Sequence, residues 1–301
     1  MNIPLAVATL LLFLPPMVRL QARPSASGSK SAPRAALAVT SEPEVIANGS
    51  PCLFRVKSEI ALKSLRGEWQ ERSVFFIFDE RDGTWLGLAG VGVDAKSGRS
   101  QITLKATTDG GSQFSYVHPV SIKRVKYRTT PLHVPAQYTQ PDAETLSRIK
   151  EEQELKKEVF AHLTPSRLWS GNFEAPVGSQ ATGEFGVRRT FNRKVQSVHQ
   201  GEDFHAEIGT PVSAMNSGVV IVAREMFFEG GFVVIDHGQG LFTLYMHLSE
   251  IKAHKGDAVT KGQIIGLSGK TGRATAPHLH VGVRWQGIYL NPSALLTMPL
   301  P

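Results

Sequence analysis

Two short stretches carry side chains suited to holding a divalent metal. Val198-His199-Gln200-Gly201-Glu202-Asp203-Phe204 supplies an imidazole and a carboxylate spaced H-x-x-x-D, and Pro277-His278-Leu279-His280-Val281 supplies two imidazoles spaced H-x-H. Histidine nitrogen and carboxylate oxygen are ordinary zinc ligands, and a catalytic zinc typically has three protein ligands with one position left for water. In extended chain successive side chains alternate faces, so His278 and His280 point the same way with Leu279 turned inward. Asp203 lies at an even offset from His199, and Gly201 lets the backbone bend between them. Four residues are thus candidates for a metal site. Two histidines one residue apart also arise by chance. A further inward histidine, His247, in the strand-like run Leu244-Tyr245-Met246-His247-Leu248-Ser249 makes a shared site the better reading.

The sequence around these residues follows an ordered series: Gly183-Glu184-Phe185-Gly186-Val187-Arg188-Arg189, the His199–Asp203 stretch, Gly209-Thr210-Pro211-Val212-Ser213-Ala214, Ile235-Asp236-His237-Gly238, Tyr245-Met246-His247, Lys255-Gly256-Asp257, Gly262-Gln263-Ile264-Ile265-Gly266, and Thr271-Gly272-Arg273-Ala274-Thr275-Ala276-Pro277-His278-Leu279-His280. Over roughly residues 173 to 297 this series resembles the lysostaphin/LytM-type metallopeptidases, which cleave peptide bonds in bacterial peptidoglycan. The resemblance implies one Zn²⁺ per chain held by His199, Asp203 and His280. It also implies that His247 and His278 flank the reacting water and handle its proton jointly. No H-E-x-x-H motif is present, and the resemblance requires none. Two departures stand out. Ala276 occupies a position where glycine is usual, costing backbone freedom, and Phe191 stands where tyrosine is common, removing a phenol. Both bear on rate and specificity more than on the ligands.

Several features are decoys. Gly266-Leu267-Ser268-Gly269-Lys270-Thr271 imitates a nucleotide-binding loop, but Ile264 replaces the first required glycine and no helix pattern follows, so a substrate-side loop is expected. His118, His133, His162 and His254 have no partner in sequence and read as surface or satisfied core residues. His237 reads as structural. His205 shares the strand face of Asp203 but matches no ligand position.

The elements that must position the site follow from the rest of the chain. Residues 1–22 contain a nearly unbroken apolar run, Ile3 to Val18, short for a spanning helix and suited to a signal peptide or an N-terminal membrane anchor. Residues 23–40, rich in Ser, Ala and Pro, read as a flexible tether. From 41 to 128, short β-type runs separated by Asp82-Gly83, Ser97-Gly98 and Asp109-Gly110-Gly111 predict an immunoglobulin-like β-sandwich, with a spacing role preferred over a positioning or autoinhibitory one. Residues 129–172 form a linker with a helix over 141–163. Its mixed charges read as a solvated face, and Leu146, Ile149, Leu155 and Val159 read as a docking stripe. Residues 173–301 are Val- and Ile-rich runs with glycine between them, predicting an antiparallel β metallopeptidase domain with the metal at the floor of an open groove. The fold class expected is mainly β.

The chain has 301 residues, 41% hydrophobic, with a net charge of +7 and a pI near 9.5. Such a balance favours polyanionic surroundings. No dense Lys/Arg run marks a nucleic-acid face, so peptidoglycan peptides and an anionic cell envelope are the expected partners, at an extracytoplasmic location. The single cysteine, Cys52, excludes an intramolecular disulfide and a four-cysteine zinc ribbon, and reads as a small buried apolar residue. Three function classes remain: a zinc endopeptidase of the cell wall, an inert relative that binds peptidoglycan and regulates other wall hydrolases, and a wall- or sugar-binding module. Retention of all five site residues favours the enzyme.

Overall fold

Alternation of buried and exposed side chains defines the first eight strands. In Gly98–Thr108, Ile102, Leu104 and Ala106 are buried while Gln101 and Lys105 are exposed, as one face of a pleated strand packs on a core. The strands are β1 (Leu37–Glu42), β2 (Val45–Ala47), β3 (Pro51–Ser58), β4 (Leu62–Trp69), β5 (Arg72–Asp79), β6 (Thr84–Gly90), β7 (Gly98–Thr108) and β8 (Gln113–Lys123). They run in the order β1-β3-β6-β5-β4-β7-β8-β2. Taking β1 and β2 as two segments of one first strand that changes sheets, β1-β3-β6-β5 packs opposite β4-β7-β8-β2, the strand order of an immunoglobulin sandwich. Trp69 on β4 is buried at its centre, edge-on to Phe54 at 5.3 Å, and its Nε1–H donates to Ser100 Oγ at 3.0 Å. Cys52 is fully buried on β3, and burial pushes its thiol pKa far up, so it is an inert core group.

This computed structural model describes residues 37–132, 134–191 and 195–301. The expected signal peptide or anchor, tether residues 23–36 and His133 lie outside the described residues. Tether residues 37–40 belong instead to β1, because Leu37 and Val39 are buried against β3. Among the described residues no helix is long and apolar enough to cross a membrane.

The remaining elements are β9 (Thr129–Leu132), a 3₁₀ turn (Ala136–Tyr138), α1 (Ala143–Ala161), β10 (Arg188–Phe191), β11 (Val195–Val198), β12 (Glu202–Phe204), β13 (Pro211–Ser213), β14 (Gly218–Met226), β15 (Gly230–Asp236), β16 (Leu241–Leu248), β17 (Glu250–Ile251), β18 (Ala258–Val259), β19 (Ile264–Leu267), β20 (Leu279–Trp285), β21 (Ile288–Leu290) and α2 (Pro292–Leu296). A seven-stranded antiparallel sheet, β12-β20-β16-β15-β14-β18 with β21 hydrogen-bonded to β20, is the platform. Leu279, Val281 and Val283 on β20 and Val233 and Ile235 on β15 bury one face, while Val222, Phe232, Val234, Phe242 and Leu244 bury part of the other under α1. That second face is closed by Leu155, Val159 and Phe160, the last edge-on to Phe242 at 5.3 Å.

Asp142 caps α1, accepting from Thr145 N–H at 2.8 Å. The helix's expected stripe is only partly used: Ile149 is buried but Leu146 is exposed. Its charges do not all face solvent either. Glu152 is buried and accepts from Phe227 N–H with both oxygens at 2.9 and 3.1 Å, and Lys156 pairs with Glu229 at 2.5 Å. The linker also contributes β9, which adds in parallel to β10.

The described residues belong to one compact unit, Ala35–Pro301, so the sandwich is not loosely tethered. Asn291 N–H donates to Gly49 O at 2.7 Å, Arg72 Nε–H donates to Gln286 O at 2.9 Å, and Leu290 lies so close to Gly90 that a Cβ there would meet its side chain at 2.5 Å.

His237 is structural, as expected. It is fully buried, with Nδ1 2.7 Å from Ser217 O and Nε2 2.8 Å from Thr243 Oγ1. Burial pushes its pKa down to about 4. A histidine depressed in the folded state contributes stability above its unfolded pKa near 6.5, and that stability is lost as pH falls toward 4. The stability gap between the protein and its His237→Gln variant should therefore shrink by about 2 kcal/mol from pH 7 to pH 5. Urea denaturation at both values measures it, and a constant gap would contradict the assignment.

Candidate metal centre

Strand pairing brings the two stretches together. β12 and β20 run antiparallel with Asp203 directly opposite His280, and β20 pairs on its other edge with β16, placing Met246 opposite His280. Directly opposed residues share a face, so Asp203, His280 and Met246 form one row while Leu279 and Val281 turn into the core. His199 reaches the same point from the bend between β11 and β12. Its Nε2 lies 3.0 Å from Asp203 Oδ1 and 2.9 Å from His280 Nδ1, and the last two atoms are 2.7 Å apart.

Gly201 matters here for a different reason from the expected bend, since its φ is not in the left-handed region. A Cβ at Gly201 would stand 2.3 Å from Val281 O and 2.5 Å from His280 Nε2, so only glycine lets β12 close onto β20 at this point.

His247 arrives by an irregularity that strand alternation does not foresee. Tyr245 pairs with Val233 and Leu248 with Gly231, so β16 carries one residue more than β15 over this interval, a β-bulge. His247 sits in the bulge with φ +64°, an unusual conformation for a non-glycine residue. Regular alternation would put it beside Tyr245 in the core; the bulge turns it to the His280 side. The ring centroids of His247 and His278 are 4.8 Å apart, and those of His247 and His280 6.1 Å.

Backbone carbonyls set the histidine tautomers. His199 Nδ1 is 3.0 Å from Glu184 O, His247 Nδ1 2.8 Å from Thr271 O and His278 Nδ1 2.8 Å from Ala276 O. Each Nδ1–H donates to its carbonyl, which leaves Nε2 as a bare lone pair. Ala276 has no left-handed φ, so the alanine is accommodated without strain and its carbonyl serves the site. The Phe191 side chain lies outside the described residues.

The charges are set by burial and by mutual contact. For Asp203, burial opposes ionisation, but the close contacts with the His199 and His280 rings outweigh it and hold the carboxyl far below the usual carboxylate range. Burial pushes His280 down, opposed by Asp203, and burial together with the neighbouring His280 and His278 pushes His247 down to about 3. The result is an ionised carboxylate at Asp203, with burial favouring the neutral imidazole at His280 and His247. In that state lone pairs from Asp203 Oδ1, His199 Nε2 and His280 Nδ1 converge, with at most one proton to share among them. Ligand bonds of about 2.0–2.1 Å at tetrahedral angles would set such atoms about 3.3 Å apart, a few tenths more than observed. A His₂Asp set of this size fits a single zinc ion.

The row lies at the floor of a cavity of about 340 Å³, lined also by Val134, Lys156, Glu184, Arg189, Phe228, Glu229, Arg273 and Tyr289. Arg189, Lys156 and Glu229 carried no signal of their own in the sequence, although Arg189 falls in the Gly183–Arg189 stretch. The nucleotide-loop mimic supports His247 through Thr271, whose Oγ1 accepts from Gly231 N–H at 2.9 Å and donates to Leu248 O at 2.8 Å. His205 and His254 are exposed and do not line the cavity.

Residues 197–292 match peptidase family M23. This segment of the chain is an M23 peptidase domain. Peptidoglycan DD-endopeptidase ShyA of Vibrio cholerae is 48% identical over 93 residues, 31% of this chain and 22% of that protein. DD-carboxypeptidase/endopeptidase Mpg of Neisseria meningitidis is 37% identical over 130 residues, 43% of this chain and 30% of that protein. The chain thus spans less than a third of either relative. A putative peptidase M23 from Pseudomonas aeruginosa has the same fold, with a TM-score of 0.62 at 24% identity over 83% of this chain and 94% of that one.

Because Gly201 sets the approach of the two strands that carry the candidate ligands Asp203 and His280, any zinc affinity of the chain should fall about tenfold or more in Gly201→Ala, by analogy with the loss of other supports around a metal. Titration against a chromophoric chelator reads this, and unchanged affinity would show that the contact is not needed.

Proposed function

We propose that the chain is a zinc-dependent endopeptidase that hydrolyses peptide bonds in bacterial peptidoglycan, outside the cytoplasm. The observation that carries this reading is the meeting of Asp203, His199 and His280 within 3.0 Å at the floor of an open cavity, with His247 and His278 beside them. The M23 match and the relatives named as peptidoglycan DD-endopeptidase and DD-carboxypeptidase/endopeptidase support the substrate class.

His199 Nε2, Asp203 Oδ1 and His280 Nδ1 would hold the ion. Zinc supplies a lowered pKa for coordinated water, toward about 7, and a Lewis acid for the peptide carbonyl. The chain supplies the proton handling. His247 and His278 each present a bare Nε2, held by a carbonyl on the opposite nitrogen, and such a group can accept a proton from attacking water and return it to the leaving amine. His278 is better placed to exchange that proton with solvent, since His247 is more deeply buried. The same imidazoles, once protonated, stabilise negative charge on the carbonyl oxygen. The inert-regulator reading lacks a supporting observation here, because all five residues are present and lie together.

The full chain incubated with purified peptidoglycan should release peptide fragments identifiable by mass spectrometry. Release should cease with a chelator and return with added zinc; digestion that persists after the metal is stripped would sink the reading. His278→Ala should keep its zinc and lose at least about a hundredfold in kcat. A variant with full turnover would remove His278 from the mechanism.

A further inference from the structure

We propose that Arg189 is the positioning residue of this centre, holding Asp203 by one carboxylate oxygen so that the other is presented to the two histidines. The proposal rests on the zinc reading above. The two oxygens of Asp203 have different surroundings. Oδ1 faces His280 Nδ1 at 2.7 Å, His199 Nε2 at 3.0 Å and His278 Nε2 at 3.6 Å, whereas Oδ2 accepts from Arg189 Nη2 at 2.9 Å. A carboxylate bound in this divided way has its rotation fixed before any metal arrives.

Arg189 is itself fixed. Its Nη2 also donates to Glu184 Oε2 at 3.0 Å, so one nitrogen bridges two carboxylates. Glu184 is anchored in turn by Arg128, at 2.7 Å from Oε1, and its backbone carbonyl takes the Nδ1–H of His199. One residue therefore sets both the His199 tautomer and the Arg189 position. Nη2 also lies 3.0 Å from His199 Nδ1, but that nitrogen's proton is committed to the carbonyl, so this is a packing contact. Strand alternation on β10 explains the aim: Arg188 turns to the opposite face and pairs with Asp94 at 2.8 Å, leaving Arg189 toward the metal row. The guanidinium is largely buried, and its Nε has no hydrogen-bond partner among the described residues, so the two carboxylates are what hold it. In a pocket this shielded, a fixed cation beside two carboxylates also lowers the cost of gathering their charge. Supports of this kind around metal ligands typically change affinity by 10- to 100-fold.

The test compares the full-length protein with Arg189→Gln and Arg189→Lys. Zinc affinity is measured by competition with a chromophoric chelator, visible absorption is recorded with cobalt in place of zinc, and thermal melting is followed on the chelator-stripped proteins. Arg189→Gln should bind zinc about 10- to 100-fold more weakly, shift the cobalt bands, and recover most of its turnover in excess zinc. Arg189→Lys should lose less, since it keeps the charge without the planar donor geometry. The stripped proteins should melt within a few degrees of one another, which a purely structural role would not give. Wild-type affinity and an unchanged cobalt spectrum in Arg189→Gln would overturn the proposal alone, whereas absence of zinc binding in the unaltered protein would overturn the metal reading and this with it. Should Arg189→Gln fail to fold, Arg189→Lys decides: weaker binding supports the role, and equal binding refutes it.

Discussion

The constraint on which the site depends is the direct pairing of Asp203 with His280 across two strands. It forces a carboxylate and an imidazole into contact in a shielded place, where an unmatched charge would be expensive. The rest of the centre compensates for that contact. His199 adds a second imidazole, Arg189 donates to the outer oxygen, and three carbonyls from two loops accept from the Nδ1–H of His199, His247 and His278, fixing which ring nitrogen carries that proton. The backbone thus sets the tautomer and orientation of the rings, while burial pushes His247 and His280 toward the neutral form.

The sheet also shows how a fold departs from regularity where chemistry needs it. A regular β16 would bury His247 with Tyr245. One extra residue, held in a left-handed conformation by Glu229 O and Thr271 O, turns the ring into the cavity. Bulges beside active sites are a general means of re-aiming a side chain. Here the bulge brings together loops 227–231 and 268–278, and Thr271 serves both.

Much of this was legible in the sequence, for a physical reason. H-x-H on a strand fixes which residues share a face, and the ordered glycine-rich segments carry the turns that bring β12 and β20 together. The sandwich was legible because its strands alternate, as in Ile102, Leu104 and Ala106. What was not legible depends on partners distant in sequence. Glu152 and Lys156 look like members of a solvated helix face until Phe227 N–H and Glu229 are seen beside them. Leu146 looks like part of the docking stripe and is not, because the stripe's contact with the sheet begins farther along α1. Gly201 looked like a hinge, whereas its role is closeness to the His280 ring, a property of β20 and not of its own stretch.

The same distant contacts define how large the working unit is. The segment that carries the family match, residues 197–292, contains all five polar groups of the centre. It does not contain Glu184, whose carbonyl sets the His199 tautomer, nor Arg189, which holds Asp203, nor Val134 and Lys156 of the cavity wall. Those come from β10, the loop before it and the connector after the sandwich, and β10 is itself paired with β9 from that connector. Cutting the chain down to the matched segment would keep every candidate ligand and discard the groups that fix their orientation. A donor set without its supports has the right atoms but pays more entropy to assemble them. Physically, the candidate metal centre belongs to the connector and the sheet together.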